Sequence, residues 1–203
     1  MVYVIMDSAG QRNESGGQRI AKGIAFSVAA AVAASVAGVI LGQLGSYLGF
    51  QERAAIASVL SLAGVTLGLG ELSGFGIRPL QCDRETPRRW MRRGRTFGAS
   101  LNGAALGFGA TTRIGFWLWY VVPMGAFLVG RPALGAALYG LYGTVRGLSP
   151  WIIIALVGAS RGRYQTEFST AADWLIRRLD SARALAAAQL LVVSGAVALN
   201  VGL

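Results

Sequence analysis

Residues 23–41 carry no charged side chain. A bilayer core about 30 Å thick is crossed by roughly 20 helical residues, so a run of this kind constrains the fold more than anything else in the chain. Four further apolar regions follow, at 54–72 (with Glu71 near its end), 96–129 (containing Arg113), 133–157 (containing Arg146) and 184–203. The composition agrees: 54% of the 203 residues are hydrophobic and 14% are charged, where a soluble domain carries about 25% charged residues. These runs predict an all-α, polytopic transmembrane helix bundle of about five spans. Region 96–129 would measure about 50 Å as a straight helix, too long for one upright span, so it is expected to be broken or kinked. The domain plan is a cytoplasmic tail over 1–22 and a single transmembrane domain over 23–203. The polar tail before the first span favours an uncleaved helix over a removable signal peptide.

The cations sort the gaps between the spans into two classes. Of 19 basic residues, Lys22 alone is lysine. The tail holds Arg12, Arg19 and Lys22. The gap after the first span holds Arg53 alone, and the gap after the second holds Arg78, Arg84, Arg88, Arg89, Arg92, Arg93 and Arg95. Arg131 is alone after the third, and Arg161, Arg163, Arg177, Arg178 and Arg183 follow the fourth. Cytoplasmic loops carry the excess of Arg and Lys. The alternation therefore places the chain in the cell (inner or plasma) membrane, with the N-terminus cytoplasmic and the C-terminus outside.

The two basic segments, 78–95 and 159–183, are read as cytoplasmic loops. Arg88, Arg89, Arg92 and Arg93 surround Trp90 and Met91, a composition suited to anionic lipid headgroups at the bilayer surface. The net charge of +10 is thus assigned to topology and lipid, not to nucleic acid, for which no recognition module is present. Phe168, Ala172, Leu175, Ile176 and Leu179 recur at helical spacing and predict an amphipathic helix on the cytoplasmic face. Cys82, the one cysteine, reads as an ordinary reduced thiol.

Within the spans, Gly38 and Gly42, then Gly45 and Gly49, stand four apart, a spacing that lets helix backbones approach closely in lipid. Glu71, Arg113 and Arg146 are costly in such a setting and are expected to face the bundle interior. Glu71 and Arg146 both fall in the cytoplasmic half and are suited to pair. Arg113, in the sequence Thr111–Thr112–Arg113–Ile114, needs water or the carbonyl end of a half-helix. Two readings stay open: a structural ion pair with a snorkelling arginine, or a solute pathway lined by Thr111, Thr112, Arg113 and Arg146 with Glu71 as counter-ion or gate.

Residues 98–156 run as a glycine-spaced span, a polar break, Pro123, the sequence Gly130-Arg131-Pro132-Ala133-Leu134-Gly135-Ala136, and then an aromatic and glycine-rich helix that reaches Pro150. This order resembles the second half of the membrane domain of the cytochrome c biogenesis and thiol–disulfide electron-transporter family, and the resemblance extends over about residues 24–200. It implies that the family's first helix has no counterpart here, so that a six-helix domain starting outside becomes a five-helix domain starting inside. It also implies a bundle with a broken central helix. The family relays electrons through two membrane cysteines beside prolines. Here the corresponding break reads Thr111–Thr112–Arg113–Ile114, without cysteine or adjacent proline, and Cys82 lies elsewhere. Thiol–disulfide exchange needs a second sulfur, so the redox activity does not carry over.

The functional expectation is a small non-redox, transporter-like protein for a small, anionic solute, since arginine's planar fork of donors suits anions. The alternative is a non-transporting membrane subunit or assembly factor that anchors a partner; dimerisation with a second copy fits either reading. An enzyme is not expected. The chain has no histidine, no HExxH, and no pair of intramembrane carboxylates for acid–base work. No catalytic residue, cofactor or metal ligand is assigned.

Overall fold

The computed structural model describes residues 16–73, 95–109, 117–158 and 179–201. Every regular element among them is helical: α1 (Gly16–Ser46), α2 (Phe50–Leu72), α3 (Arg95–Gly107), a short 3-10 turn (Trp117–Tyr120), α4 (Val121–Val129), α5 (Pro132–Gly158) and α6 (Leu179–Val201). Two helices, Ile20–Ser46 within α1 and Phe50–Leu72, are long and apolar enough to cross a membrane.

A tight turn joins α1 to α2. The Leu48 N–H donates to the Gly45 carbonyl as α1 closes, and the Gly49 N–H donates to the Glu52 carboxylate at 2.8 Å as α2 opens. Glu52 in the first turn of α2 also places negative charge at the positive end of the helix dipole. The end of the bundle holding this turn is called the far end below; α1 begins at the near end.

Small residues set the register between helices. Gly38 meets Gly135, Gly42 meets Arg131 and Pro132, Ser35 meets Gly140, and Ala30 and Ala34 meet Gly143. These pairs run α5 antiparallel to α1 with their backbones in contact. Gly103 meets the carbonyl of Phe26 and Gly107 that of Ala30, so α3 runs parallel to α1. Gly64 faces Ser194, while Gly68 faces Leu191 and Ala187, which makes α6 antiparallel to α2. At the near end Ser27 ties α1 to α5. Its hydroxyl lies 2.8 Å from the Gly147 carbonyl and 3.0 Å from that of Gly23, and it accepts from Trp151 Nε1 at 2.8 Å.

Region 96–129 is not one continuous helix. α3 stops at Gly107; the Phe108 N–H donates to the Ala104 carbonyl and the Gly109 N–H to that of Leu106. Gly109 takes φ +72°, a left-handed conformation that side chains resist and that halts α-helix. The next helical element among the described residues begins at Trp117. α4 ends at Gly130, also left-handed at φ +59°, where the Arg53 guanidinium donates to the Val129 carbonyl at 3.4 Å. The cation sits where the negative end of the helix dipole is uncompensated.

The radial order of side chains is inverted relative to a water-soluble fold. The buried apolar set is mostly alanine: Ala30, Ala33, Ala34, Ala57, Ala126, Ala186 and Ala187. Phe26, Leu106, Tyr139 and Leu190 are its larger members. Large aliphatic side chains point outward instead, with Ile20, Ile24, Val28, Val32, Val36, Ile40 and Leu44 forming an exposed stripe along α1.

Candidate functional site

The helix break and the polar side chains beside it form the candidate site. Gly107 lies level with Ala30 of α1, and Gly143 of α5 meets the same Ala30 carbonyl. The end of α3 therefore lies level with the α5 segment around Tyr139, Tyr142 and Arg146. Gly109 is required here for a second reason besides its φ. A methyl group on it would strike the Trp119 ring and stand 3.4 Å from the Tyr139 hydroxyl.

Tyr142 is the centre of the cluster. Its hydroxyl oxygen accepts from the Trp119 indole N–H and from the Arg146 guanidinium. Residues 142 and 146 stand one helical turn apart, which brings the two side chains onto one face. The Arg146 Cζ lies 5.5 Å from the centroid of the Tyr142 ring, so the cation is held by the phenol and its π-face together. The Tyr139 ring meets Tyr142 edge-on, centroids 5.7 Å apart at 71°. Tyr139 packs in a core with Ala34 and Ala126 and is 2% exposed. Trp119 meets Tyr120 edge-on at 5.0 Å within the 3-10 turn, and its indole bond to Tyr142 ties that turn to α5.

Of the residues singled out from the sequence, Arg146 belongs to this cluster. Glu71 lies at the near end of α2, whose principal partner is α6, whereas α5 packs on α1. Its Oε2 atom is buried. Thr111, Thr112, Arg113, Cys82 and the loop arginines Arg88, Arg89, Arg92 and Arg93 lie outside the described residues, as does the stretch 164–178. Sequence reasoning missed Tyr139, Tyr142 and Trp119. The signal for two of them was present, in tyrosines three apart and an arginine four beyond the second, all on one helix face.

Among the described residues no three His, Cys, Asp or Glu side chains gather to hold a metal ion. No protein-family model matches the chain, and the comparisons with curated proteins and with solved structures find no match either.

Proposed function

We propose that the protein is an integral membrane protein that crosses the bilayer five times, with α3, the break and α4 forming one interrupted span, and that it conducts a small, anionic solute past the break. The membrane reading draws its support from the inverted side-chain order. Water expels large aliphatic side chains first. Lipid does not, and helices in lipid associate through small residues that allow close contact. Helix direction supports the topology. α1, the α3–α4 pair and α6 run one way and α2 and α5 the other, so the helix ends that flank both basic segments lie at the near end with the start of α1. The near end is then cytoplasmic by the distribution of arginine, and the C-terminus is outside.

The observation that carries the transport reading is Arg146, a cation fixed at the interruption of a helix by Tyr142. Broken helices line solute sites in membrane transporters because their unwound backbone is tolerated only where it faces protein or a watery cavity. The resemblance to the thiol–disulfide transporter family fits the same scaffold, without its redox chemistry. Flux of radiolabelled organic and inorganic anions into proteoliposomes tests the reading. Arg146→Ala is expected to abolish flux and Arg146→Lys to reduce it. Unchanged flux in Arg146→Ala, or no flux of any anion alongside a stoichiometric membrane partner, would replace transport by an anchoring role.

A further inference from the structure

We infer that α6 pairs with α6 of a second copy of this chain through the face that carries Gln189, the two glutamine amides closing on each other inside the bilayer. This rests on the membrane reading and is independent of transport.

α6 presents two unlike faces. Ala186, Ala187, Leu190 and Ser194 are buried, and Ala187, Leu190 and Ser194 meet α2 at Gly64 and Gly68. Leu185, Gln189, Val192 and Ala196 are exposed, Leu185 at 66% and Val192 at 71%, while the 3-10 turn also packs on α6. These four stand four, three and four residues apart, the spacing of a seam between two paired helices. Gln189 is out of place in a stripe that faces acyl chains. It stands six positions past Arg183, the last charged residue of the chain, and so about 9 Å into the apolar stretch. Two methylenes and an amide do not reach back to the headgroups from there. No hydrogen bond to a described residue closes its amide. The exposed Gln43, Thr66 and Thr144 differ, because each is closed by a bond three or four residues away, to the Ser46 hydroxyl, the Leu62 carbonyl and the Gly140 carbonyl.

Acyl chains offer an amide neither donor nor acceptor, so its desolvation stays uncompensated in lipid. A glutamine amide carries two N–H donors and a carbonyl acceptor, which makes it complementary to itself. Copies inserted in one orientation are related by rotation about the bilayer normal. In a two-fold pair each residue of α6 therefore meets its own image at its own depth. Each Gln189 amide then donates to the carbonyl of its counterpart, and one residue position supplies two hydrogen bonds. A different protein would need a polar group placed independently at the same depth. Ala188 and Ala196 beside Gln189 are small and exposed, which lets the two backbones come close enough for the amides to meet. Leu185 and Val192 pack on either side, and a single polar layer in such a seam also fixes its register.

The test uses the full chain carrying Cys82→Ser and Tyr47→Cys, reconstituted in phosphatidylcholine–phosphatidylglycerol vesicles. Förster transfer between donor- and acceptor-labelled copies is expected to fall along a dissociation curve as lipid is added. Gln189→Leu is expected to shift that curve roughly tenfold toward the monomer, with Gln189→Asn between the two. A second readout uses cell membranes that hold Cys82→Ser with Val192→Cys. Oxidation by copper phenanthroline is expected to link this variant into a dimer and to leave Val32→Cys, on the exposed stripe of α1, as a monomer. The cross-link keeps the test decisive if the leucine variant folds poorly. Transfer no greater than random proximity at every lipid ratio, one curve for Gln189→Leu and its parent, or linkage of Val192→Cys to a different protein instead of a second copy would each overturn the inference. A chain that floats with vesicles yet stays monomeric removes the α6 pair alone. A chain that stays in solution without detergent or lipid removes the membrane reading as well.

Discussion

Replacing Gly42 by alanine isolates the contact on which the α1–α5 pair depends. An added β-carbon would stand 2.7 Å from the Arg131 carbonyl oxygen, 2.9 Å from the carbonyl carbon and 3.0 Å from Pro132 Cα. All three are backbone atoms, so no rotamer change makes room. Ordinary contact begins at 3.4 Å, and the helices must part by about 0.7 Å at this level. A gap of about 0.5–1 Å forfeits roughly a quarter to a half of each dispersion contact across it. Overpacking of this kind costs about 1–3 kcal/mol, against which alanine's better helix propensity returns at most about 1 kcal/mol. The net expectation is a loss of about 1–2 kcal/mol. Gly195 is the control, since a β-carbon there meets nothing within 4 Å. Gly195→Ala keeps the propensity gain without the clash, so it is expected to be neutral or stabilising by up to about 1 kcal/mol. Unfolding of the purified protein in mixed micelles with increasing dodecyl sulfate, followed by circular dichroism, reads both. Equal midpoints for the two variants would refute the claim that backbone contact at Gly42 holds α5 on α1.

Two further outcomes follow from the same packing. Ser27→Ala removes the acceptor of the Trp151 indole N–H and the hydroxyl beside the Gly147 carbonyl; the same titration should show a loss of about 1–3 kcal/mol, and a wild-type midpoint would mean that this junction carries no stability. For topology, a cysteine in place of Tyr47, which is 76% exposed at the far end, should react with a membrane-impermeant maleimide added to intact cells carrying Cys82→Ser. Cys82 in the native chain should react only after the cells are permeabilised, and labelling of Cys82 from outside would reverse the assigned orientation.

The sequence was legible where its signal is one-dimensional. Apolar runs located helices at 54–72 and 133–157, within four residues of the bounds of α2 and one of those of α5, because an uninterrupted apolar run in a charge-poor chain has few alternatives to helix. Excess length in 96–129 foretold a break, and Gly107 and Gly109 supply it through the end of α3 and a left-handed backbone. What the sequence concealed is pairwise. Gly38 reads as one small residue among many until Gly135 is brought against it. Arg53 reads as a lone loop cation, yet its guanidinium closes the carbonyl end of α4, far along the chain. Tyr139 and Tyr142 read as aromatic filling because nothing local shows that Trp119 and the end of α3 lie beside them. Long-range juxtaposition, not residue chemistry, was the missing information.

The way polar groups are distributed sets the cluster around Tyr142 apart from the rest of the helices. Four hydroxyls in the helices are closed on their own backbone: Ser58 donates to the Ala54 carbonyl, Ser100 to that of Thr96, Thr66 to that of Leu62 and Thr144 to that of Gly140. Each bond lies within one turn, satisfies a hydroxyl in apolar surroundings, and couples nothing to anything. The Trp119–Tyr142–Arg146 chain differs in kind, because its indole comes from across the helix interruption and its guanidinium from α5. A bundle that needed only to stay folded would gain by replacing that chain with aliphatic packing, since buried charges repay their desolvation poorly. Tyr142→Phe with Arg146→Leu therefore separates the two roles. It is expected to leave the unfolding midpoint unchanged or raised while abolishing anion flux, and a double variant that unfolds more readily yet keeps wild-type flux would show that the cluster is there for packing alone.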